Sequence, residues 1–259
     1  MTDVVGHRGA SGHAPETTLA AYRIAIQMGV DAVEADVHRL RDGTLVAIHD
    51  ANLQRTTNGS GWIADMTLAE LKALDAGSWF NKRYPRKARP EFAGQQVPTL
   101  QEIIDLVKNS SADLFIEIKD PERYAPDFES SLLSLVQTNR MEERTRFLSF
   151  SAQALRRIKD LQASIPTVFL ISRRRKDPVE AAIDIRADEL GIRFGCLQPS
   201  MVEKARSKGI RVSVWTVDAE KDMRRMLEMG VDRIITNYPD RLLRLLGRYN
   251  KGAANSTGV

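Results

Sequence analysis

Apolar positions along this 259-residue chain alternate between two periods, short runs that read as strands and three-and-four spacings that read as helices. Val4-Val5 runs into a turn at His7-Arg8-Gly9, where the glycine would let backbone approach a ligand. Leu19, Tyr22 and Ile26 then predict a helix over 15–28 with Gly29 as its stop. Thr99-x-x-Glu102 is a capping box opening a helix to 107, and strands at 114–119, 146–149 and 167–171 are separated by helices after Pro126 and over 152–161. The last third reads as a helix after Pro178, a strand at 194–197 and a helix over 200–209, then a strand at 210–216, a helix over 219–229, a strand at 233–236 and a helix over 239–248. Eight strands, centred near Val4, Val33, Phe115, Leu148, Val168, Leu197, Val214 and Ile235, predict an α/β chain folded as a (β/α)8 TIM barrel over residues 1–250. An open doubly wound sheet is the rival, but no Gly-x-Gly-x-x-Gly follows the first strand.

The stretch between His49 and Thr99 is too long for a βα connection and predicts a small subdomain, about residues 51–97, inserted after the second strand. Thr67-x-x-Glu70 predicts a capped helix there, and Trp62, Trp79, Phe80, Tyr84 and Phe92 offer it a core of its own. Leaving and re-entering on one rim, it is placed to act as a wall or lid. Residues 251–259 are small and polar and read as a disordered tail.

Composition narrows the picture. Apolar residues make up 42% of the chain, enough for one large core. A formal charge of +4 leans towards an anionic ligand, but 38 basic against 34 acidic residues gives no case for nucleic acid. No apolar run approaches the roughly 18 residues of a membrane span, and no signal-peptide pattern opens the chain, so a cytoplasmic protein is expected. Cys196 is alone, which excludes an intrachain disulfide and a cysteine-rich zinc site. The run Arg173-Arg174-Arg175-Lys176 follows the fifth strand and reads as a solvated loop. A homodimer is compatible with the sequence, though no pattern specifies one.

All four histidines, His7, His13, His38 and His49, fall in the first fifth of the chain, interleaved with Glu34 and Asp36. In Val33-Glu34-Ala35-Asp36-Val37 the strand period of two puts both carboxylates on one face, and their mutual repulsion calls for a cation between them. Asp42-Gly43 signals a tight hairpin turn; a two-residue loop would set Arg41 against Thr44, His38 against Ala47 and Asp36 against His49, with Cβ atoms roughly 5 Å apart. Phe115-Ile116-Glu117-Ile118-Lys119 repeats the pattern, with Glu117 and Lys119 on one face. Inside one barrel, Glu34, Asp36 and Glu117 form an all-oxygen set suited to a hard divalent cation, Mg2+ or Ca2+, with Mn2+ as a further possibility. Arg8 and Lys119 on the same rim supply what a phosphate needs. Taken singly, the carboxylates read equally well as surface residues, Glu117 and Lys119 as an ion pair, and each histidine as structural; their convergence at the carboxyl ends of barrel strands is what points to a site. His13 and His38 are read as non-catalytic neighbours.

These residues carry a resemblance. His7-Arg8-Gly9, Pro15-Glu16-Thr17-Thr18, Glu34-Ala35-Asp36-Val37, His49-Asp50, Arg55-Thr56-Thr57-Asn58-Gly59, Val97-Pro98-Thr99-Leu100, Ile116-Glu117-Ile118-Lys119, Val214-Trp215-Thr216-Val217 and Gly230-Val231-Asp232 together resemble the glycerophosphodiester phosphodiesterase family nearly end to end. The resemblance implies a divalent cation on Glu34, Asp36 and Glu117 and an acid/base pair in His7 and His49. It also implies phosphate contacts from Arg8 and Lys119, an aromatic wall from Trp215, and hydrolysis of a small-molecule glycerophosphodiester to sn-glycerol 3-phosphate and an alcohol. Two departures are slight: Ser149-Phe150-Ser151 lacks an aspartate expected after Ser-Phe, and Thr236-Asn237 stands where Thr-Asp is common. Rival readings are a barrel phosphodiesterase acting on lysophospholipid or phosphatidylinositol, a metal-dependent amide hydrolase, which the absence of histidines beyond position 49 disfavours, and a catalytically silent metal-binding barrel.

Overall fold

The computed structural model describes residues 1–249; the predicted tail lies outside them. Eight parallel strands close into a barrel: β1 (Asp3–His7), β2 (Ala32–Arg39), β4 (Asp113–Ile118), β5 (Thr145–Ser149), β6 (Thr167–Ile171), β7 (Glu189–Arg193), β8 (Arg211–Trp215) and β9 (Arg233–Thr236). Pairing of β1 with both β2 and β9 shuts the cylinder, and a short antiparallel strand, β3 (Leu45–Ala47), runs back along β2. Helices α1 (Leu19–Met28), α4 (Leu100–Lys108), α6 (Phe128–Thr138), α7 (Ala152–Leu161), α8 (Pro178–Asp184), α9 (Pro199–Ser207), α10 (Glu220–Glu228) and α11 (Pro239–Leu245) follow the barrel strands in turn, with a short α5 (Pro121–Tyr124) ahead of α6.

Strand alternation divides the side chains between two cores. Val33, Ala35 and Val37 of β2 join Leu114, Ile116 and Ile118 of β4 in the layer between barrel and helices. Inside the barrel a smaller plug forms from Val5, Ala32, Phe115, Leu148, Val168, Leu170 and Ile235, with Trp215 above it. Below the plug sits an ion cluster in which buried Arg233 pairs with buried Glu189 and, at 3.1 Å, with partly exposed Asp3, while Arg146 pairs with Asp113 at 2.8 Å.

Three expectations need correction. The predicted helix over 15–28 begins only at Leu19, because Thr17 takes a left-handed φ of 54° and Thr18, extended, caps the helix through Ala21 N. Gly9 has a packing role besides: a Cβ there would lie 2.5 Å from the Ala21 backbone, so the glycine lets α1 close onto the turn. The hairpin loop is one residue longer than predicted. Leu40 N donates to Thr44 O at 2.9 Å around Arg41-Asp42-Gly43, with Gly43 at φ 88°, and the register becomes Val37 opposite Ala47 and His38 opposite Val46. Asp36 O therefore accepts from Ile48 N, and His49 is not its cross-strand partner. The predicted strand at 194–197 is a 3-10 turn, and the sixth barrel strand is β7, five residues upstream.

The segment between β3 and α4 holds α2 (Leu68–Lys72), α3 (Ser78–Arg83) and short 3-10 turns. Its satellite core is aliphatic rather than aromatic: Leu53, Ile63, Leu71, Ala76 and Val97 pack with Leu40, Val46 and Ile48 of the hairpin. Phe80 and Phe92 join the main core instead, and Trp62 is half exposed.

Candidate active site

At the carboxyl ends of the strands a cavity opens, lined on one side by His7, Arg8, Glu34, His49, Glu117 and Lys119 and on the other by Leu148, Phe150, Leu170, Trp215 and Ile235. The polar side comes from β1, β2 and β4, whose register sets His7 beside Glu34 and Asp36 beside Glu117. All eight sequence-predicted site residues are brought to this end of the barrel.

Oxygens of Glu34, Asp36 and Glu117 lie within 4.8 Å of one another. Two cations flank Asp36, as the repulsion argument requires: Arg8 Nε at 3.0 Å and Lys119 Nζ at 3.4 Å, the latter also 2.9 Å from Glu117. Glu34 has no such side-chain cation; its Oε2 accepts from Arg8 N at 3.0 Å. Burial resists ionisation of Asp36, yet Arg8, Lys119 and the two histidines hold its carboxyl well below the usual carboxylate range. For Glu34, burial and then Asp36 and Glu117 push the carboxyl well up; burial and Asp36 push Glu117 to about 7 against the pull of Lys119. Glu34 Oε1 and both Asp36 carboxylate oxygens are buried without a hydrogen-bond partner. Three buried carboxyls crowded together, one oxygen of Glu34 without any partner and those of Asp36 held by ion pairs alone, are costly. A divalent cation among them would relieve that cost, and their hard oxygen chemistry fits Mg2+, Ca2+ or Mn2+.

Each histidine that lines the cavity is held by one ring nitrogen. His7 Nδ1 lies 2.7 Å from Asn237 Oδ1, which also accepts from Ser11 Oγ at 2.7 Å. Asn237 Nδ2 donates to Asp218 Oδ2 at 2.7 Å, so the amide is oriented with its oxygen towards His7, and His7 Nδ1 must carry the proton. Burial and then Arg8 push His7 down to about 4. His49 Nδ1 donates to Asp50 Oδ1 at 2.6 Å, and Arg55 Nε clamps Asp50 Oδ2 at 2.6 Å. Its side chain keeps 34% exposure, and burial with the cations Arg8 and Lys119 lowers its pKa, although Asp36 opposes the shift. In both rings Nε2 is left as the unprotonated nitrogen.

The two halves are tied together. Arg55 also donates to Glu16 at 2.7 and 2.9 Å, and Glu16 accepts from Arg8 Nη1 at 2.8 Å, which completes a path His49–Asp50–Arg55–Glu16–Arg8–Asp36. Glu16, Asp50, Arg55 and Asn237 were legible as motif letters without a role. Arg8 and Thr17, both left-handed and joined by Thr17 N to Arg8 O at 3.1 Å, fold the loop so that Glu16 meets the site. The remaining histidines are structural, as expected: His13 bonds Asp240 at 2.7 Å, and buried His38 bonds the Tyr124 hydroxyl at 2.9 Å.

Comparison with known proteins places this geometry. The model of the glycerophosphoryl diester phosphodiesterase family matches residues 7–241. A glycerophosphodiester phosphodiesterase of Bacillus subtilis is 39% identical over 246 residues, spanning 91% of this chain and 83% of that protein. Another, from Caldanaerobacter subterraneus, is 36% identical over 95% of this chain and 98% of its own length. Among solved structures, an Oleispira antarctica phosphodiesterase in complex with the product sn-glycerol-3-phosphate superposes with a TM-score of 0.88 at 29% identity, covering 95% of this chain and 97% of that one. The chain therefore belongs to the glycerophosphoryl diester phosphodiesterase family, as a phosphoric diester hydrolase built on a closed parallel barrel.

Proposed function

We propose that the chain hydrolyses glycerophosphodiesters to sn-glycerol 3-phosphate and an alcohol, with Glu34, Asp36 and Glu117 holding a divalent cation and His7 and His49 moving the protons. The observation that carries this reading is the pair of cavity-lining imidazoles, each tied at Nδ1 and free at Nε2, in the cavity that Glu34 and Glu117 also line. The Oleispira protein's complex with sn-glycerol-3-phosphate supports the choice of product.

Charge arithmetic supports the cation. Fully ionised, three carboxylates against Arg8 and Lys119 leave the polar wall one unit negative, which repels a diester monoanion; a bound dication leaves it one unit positive. When bound, the cation supplies Lewis-acid neutralisation of the phosphoryl oxygens. Arg8 and Lys119 then orient the diester, and Trp215 walls the apolar side of the cavity, its buried Nε1 without a partner among the described residues. His7, kept neutral by burial and paired with an uncharged amide, takes the proton from the attacking hydroxyl at Nε2. His49, once protonated at Nε2 as well, delivers that proton to the leaving oxygen, since the Asp50 carboxylate behind it stabilises the imidazolium that Asn237 cannot. We also read residues 51–97 as an inserted subdomain whose Arg55 braces this pair from the rim.

The test is turnover of glycerophosphocholine with and without chelator, alongside lysophospholipid. Activity should vanish with chelator and return with Mg2+, Ca2+ or Mn2+, and His7→Ala or His49→Ala should lower kcat by about two to four orders of magnitude with the fold intact. Full activity in chelator, or in either variant, contradicts the assignment.

A further inference from the structure

Outside the site, a run of four basic residues without a partner among the described residues lies on the same rim. Arg173, Arg174, Arg175 and Lys176 occupy the loop between β6 and α8, all four exposed. None of the four makes a hydrogen bond, ion pair or ring contact with any described residue. The nearest carboxylates in sequence are already engaged: Asp177 caps α8 through Glu180 N, and Lys204 pairs with Asp177 at 2.5 Å and Glu180 at 3.1 Å. A fifth exposed and unpartnered cation, Arg193, ends β7 next door, and Cys196 Sγ donates to Ser172 O at 3.8 Å, which holds the two loops side by side. Four consecutive like charges with no counter-charge repel one another in the free protein, and an external anion is what relieves them.

This arc borders the apolar half of the cavity. Leu170 of β6 lines it, Arg193 is the register partner of Trp215, and Phe150, 46% exposed, packs edge-on against Trp215 with ring centroids 5.6 Å apart. Beyond Phe150 the rim carries Asp120 and Glu122, the latter accepting from Ser151 Oγ at 3.1 Å, and the cations there are engaged, Lys119 with Glu117 at 2.9 Å and Arg123 over the Trp62 ring, whereas the four of the β6–α8 loop have no partner among the described residues. Basic side chains around an exposed aromatic ring match the chemistry of an anionic bilayer surface, where cations meet headgroups and an aromatic ring enters the interface.

We propose that the β6–α8 loop and Arg193 dock the protein on anionic lipid surfaces, with the cavity mouth turned towards the bilayer. The docking is reversible and electrostatic, because no helix of the described chain is long and apolar enough to cross a membrane. Each basic residue near such a surface raises partitioning about fivefold, so the four-residue run is worth roughly two to three orders of magnitude, lost as salt shortens the reach of the charges.

The experiment is co-sedimentation with vesicles of phosphatidylcholine alone, or of about three parts phosphatidylcholine to one part phosphatidylglycerol, at low and high salt. It compares the unmodified chain with a variant carrying Arg173→Glu, Arg174→Glu, Arg175→Glu and Lys176→Glu. The unmodified chain should sediment only with the anionic vesicles and only at low salt, and the variant with neither. Turnover of soluble glycerophosphocholine should be the same in both, since the four residues touch nothing in the cavity; that arm reads the loop independently of the proposed chemistry. Equal binding to both vesicle types, undiminished binding by the variant, displacement from anionic vesicles by a short oligonucleotide at low salt, or a raised KM for the soluble diester in the variant would each overturn the proposal.

Discussion

In the proposed site, protons and a divalent cation compete for the same three side chains. Glu34 is pushed well up and Glu117 to about 7, both chiefly by burial and then by neighbouring carboxylates, so below that range the cluster holds protons. Cation affinity should fall as the pH drops through about 7, whereas His7, at about 4, stays unprotonated over the same interval. The acid limb of kcat/KM should therefore move to lower pH as cation concentration rises; an acid limb indifferent to cation would assign it to another group. The carboxylate face was readable in the sequence because a strand has a period of two, and the flanking cations followed from repulsion. The cross-strand partner of Asp36 was not, since a glycine at φ 88° added one residue to the turn, displaced every partner beyond it and set Ile48 rather than the expected His49 against Asp36.

Among the elements, those with a local signal were legible and those without one were not. α7 and β6 fall where the pattern put them, and both threonine capping boxes form, each hydroxyl accepting from the third helical N–H while the glutamate returns the bond. Thr99→Ala should cost about 1 kcal/mol of stability, seen as a lower urea midpoint at unchanged slope, with kcat untouched because α4 packs outside the barrel. An unchanged midpoint would mean that the cap adds nothing to α4. β7 escaped detection for two reasons. Its Glu189 is buried against Arg233 inside the cylinder, and its Gly191 sits where a Cβ would meet Leu170 Cδ2 at 2.6 Å, so a charged residue and a glycine gave a barrel strand the letters of a loop.

Across the whole molecule, stability is linked to the site. Carboxyls whose folded-state pKa is raised above the unfolded value contribute most stability below the unfolded value, and that contribution fades as the pH rises through the folded one. In chelator the protein should therefore melt at a lower temperature at pH 8 than at pH 5.5 on account of Glu34 and Glu117, and a divalent cation should erase or reverse the difference. The same melting temperature at pH 8 with and without cation would remove the linkage. Closure of β1 onto both β2 and β9 is what brings residues from positions 7 to 237 to one rim, and the alternation of strand and helix announced it. The brace Asp50–Arg55–Glu16–Arg8 was beyond reach, because it depends on left-handed backbone at Arg8 and Thr17, residue types that do not advertise that conformation. The central claim is that one ion sits among three barrel carboxylates between two histidines, and anomalous diffraction from crystals soaked in Mn2+ tests it most directly. A single strong peak within about 2.6 Å of oxygens from Glu34, Asp36 and Glu117 is the expected result; a peak elsewhere, or none at a Mn2+ concentration that supports turnover, contradicts it.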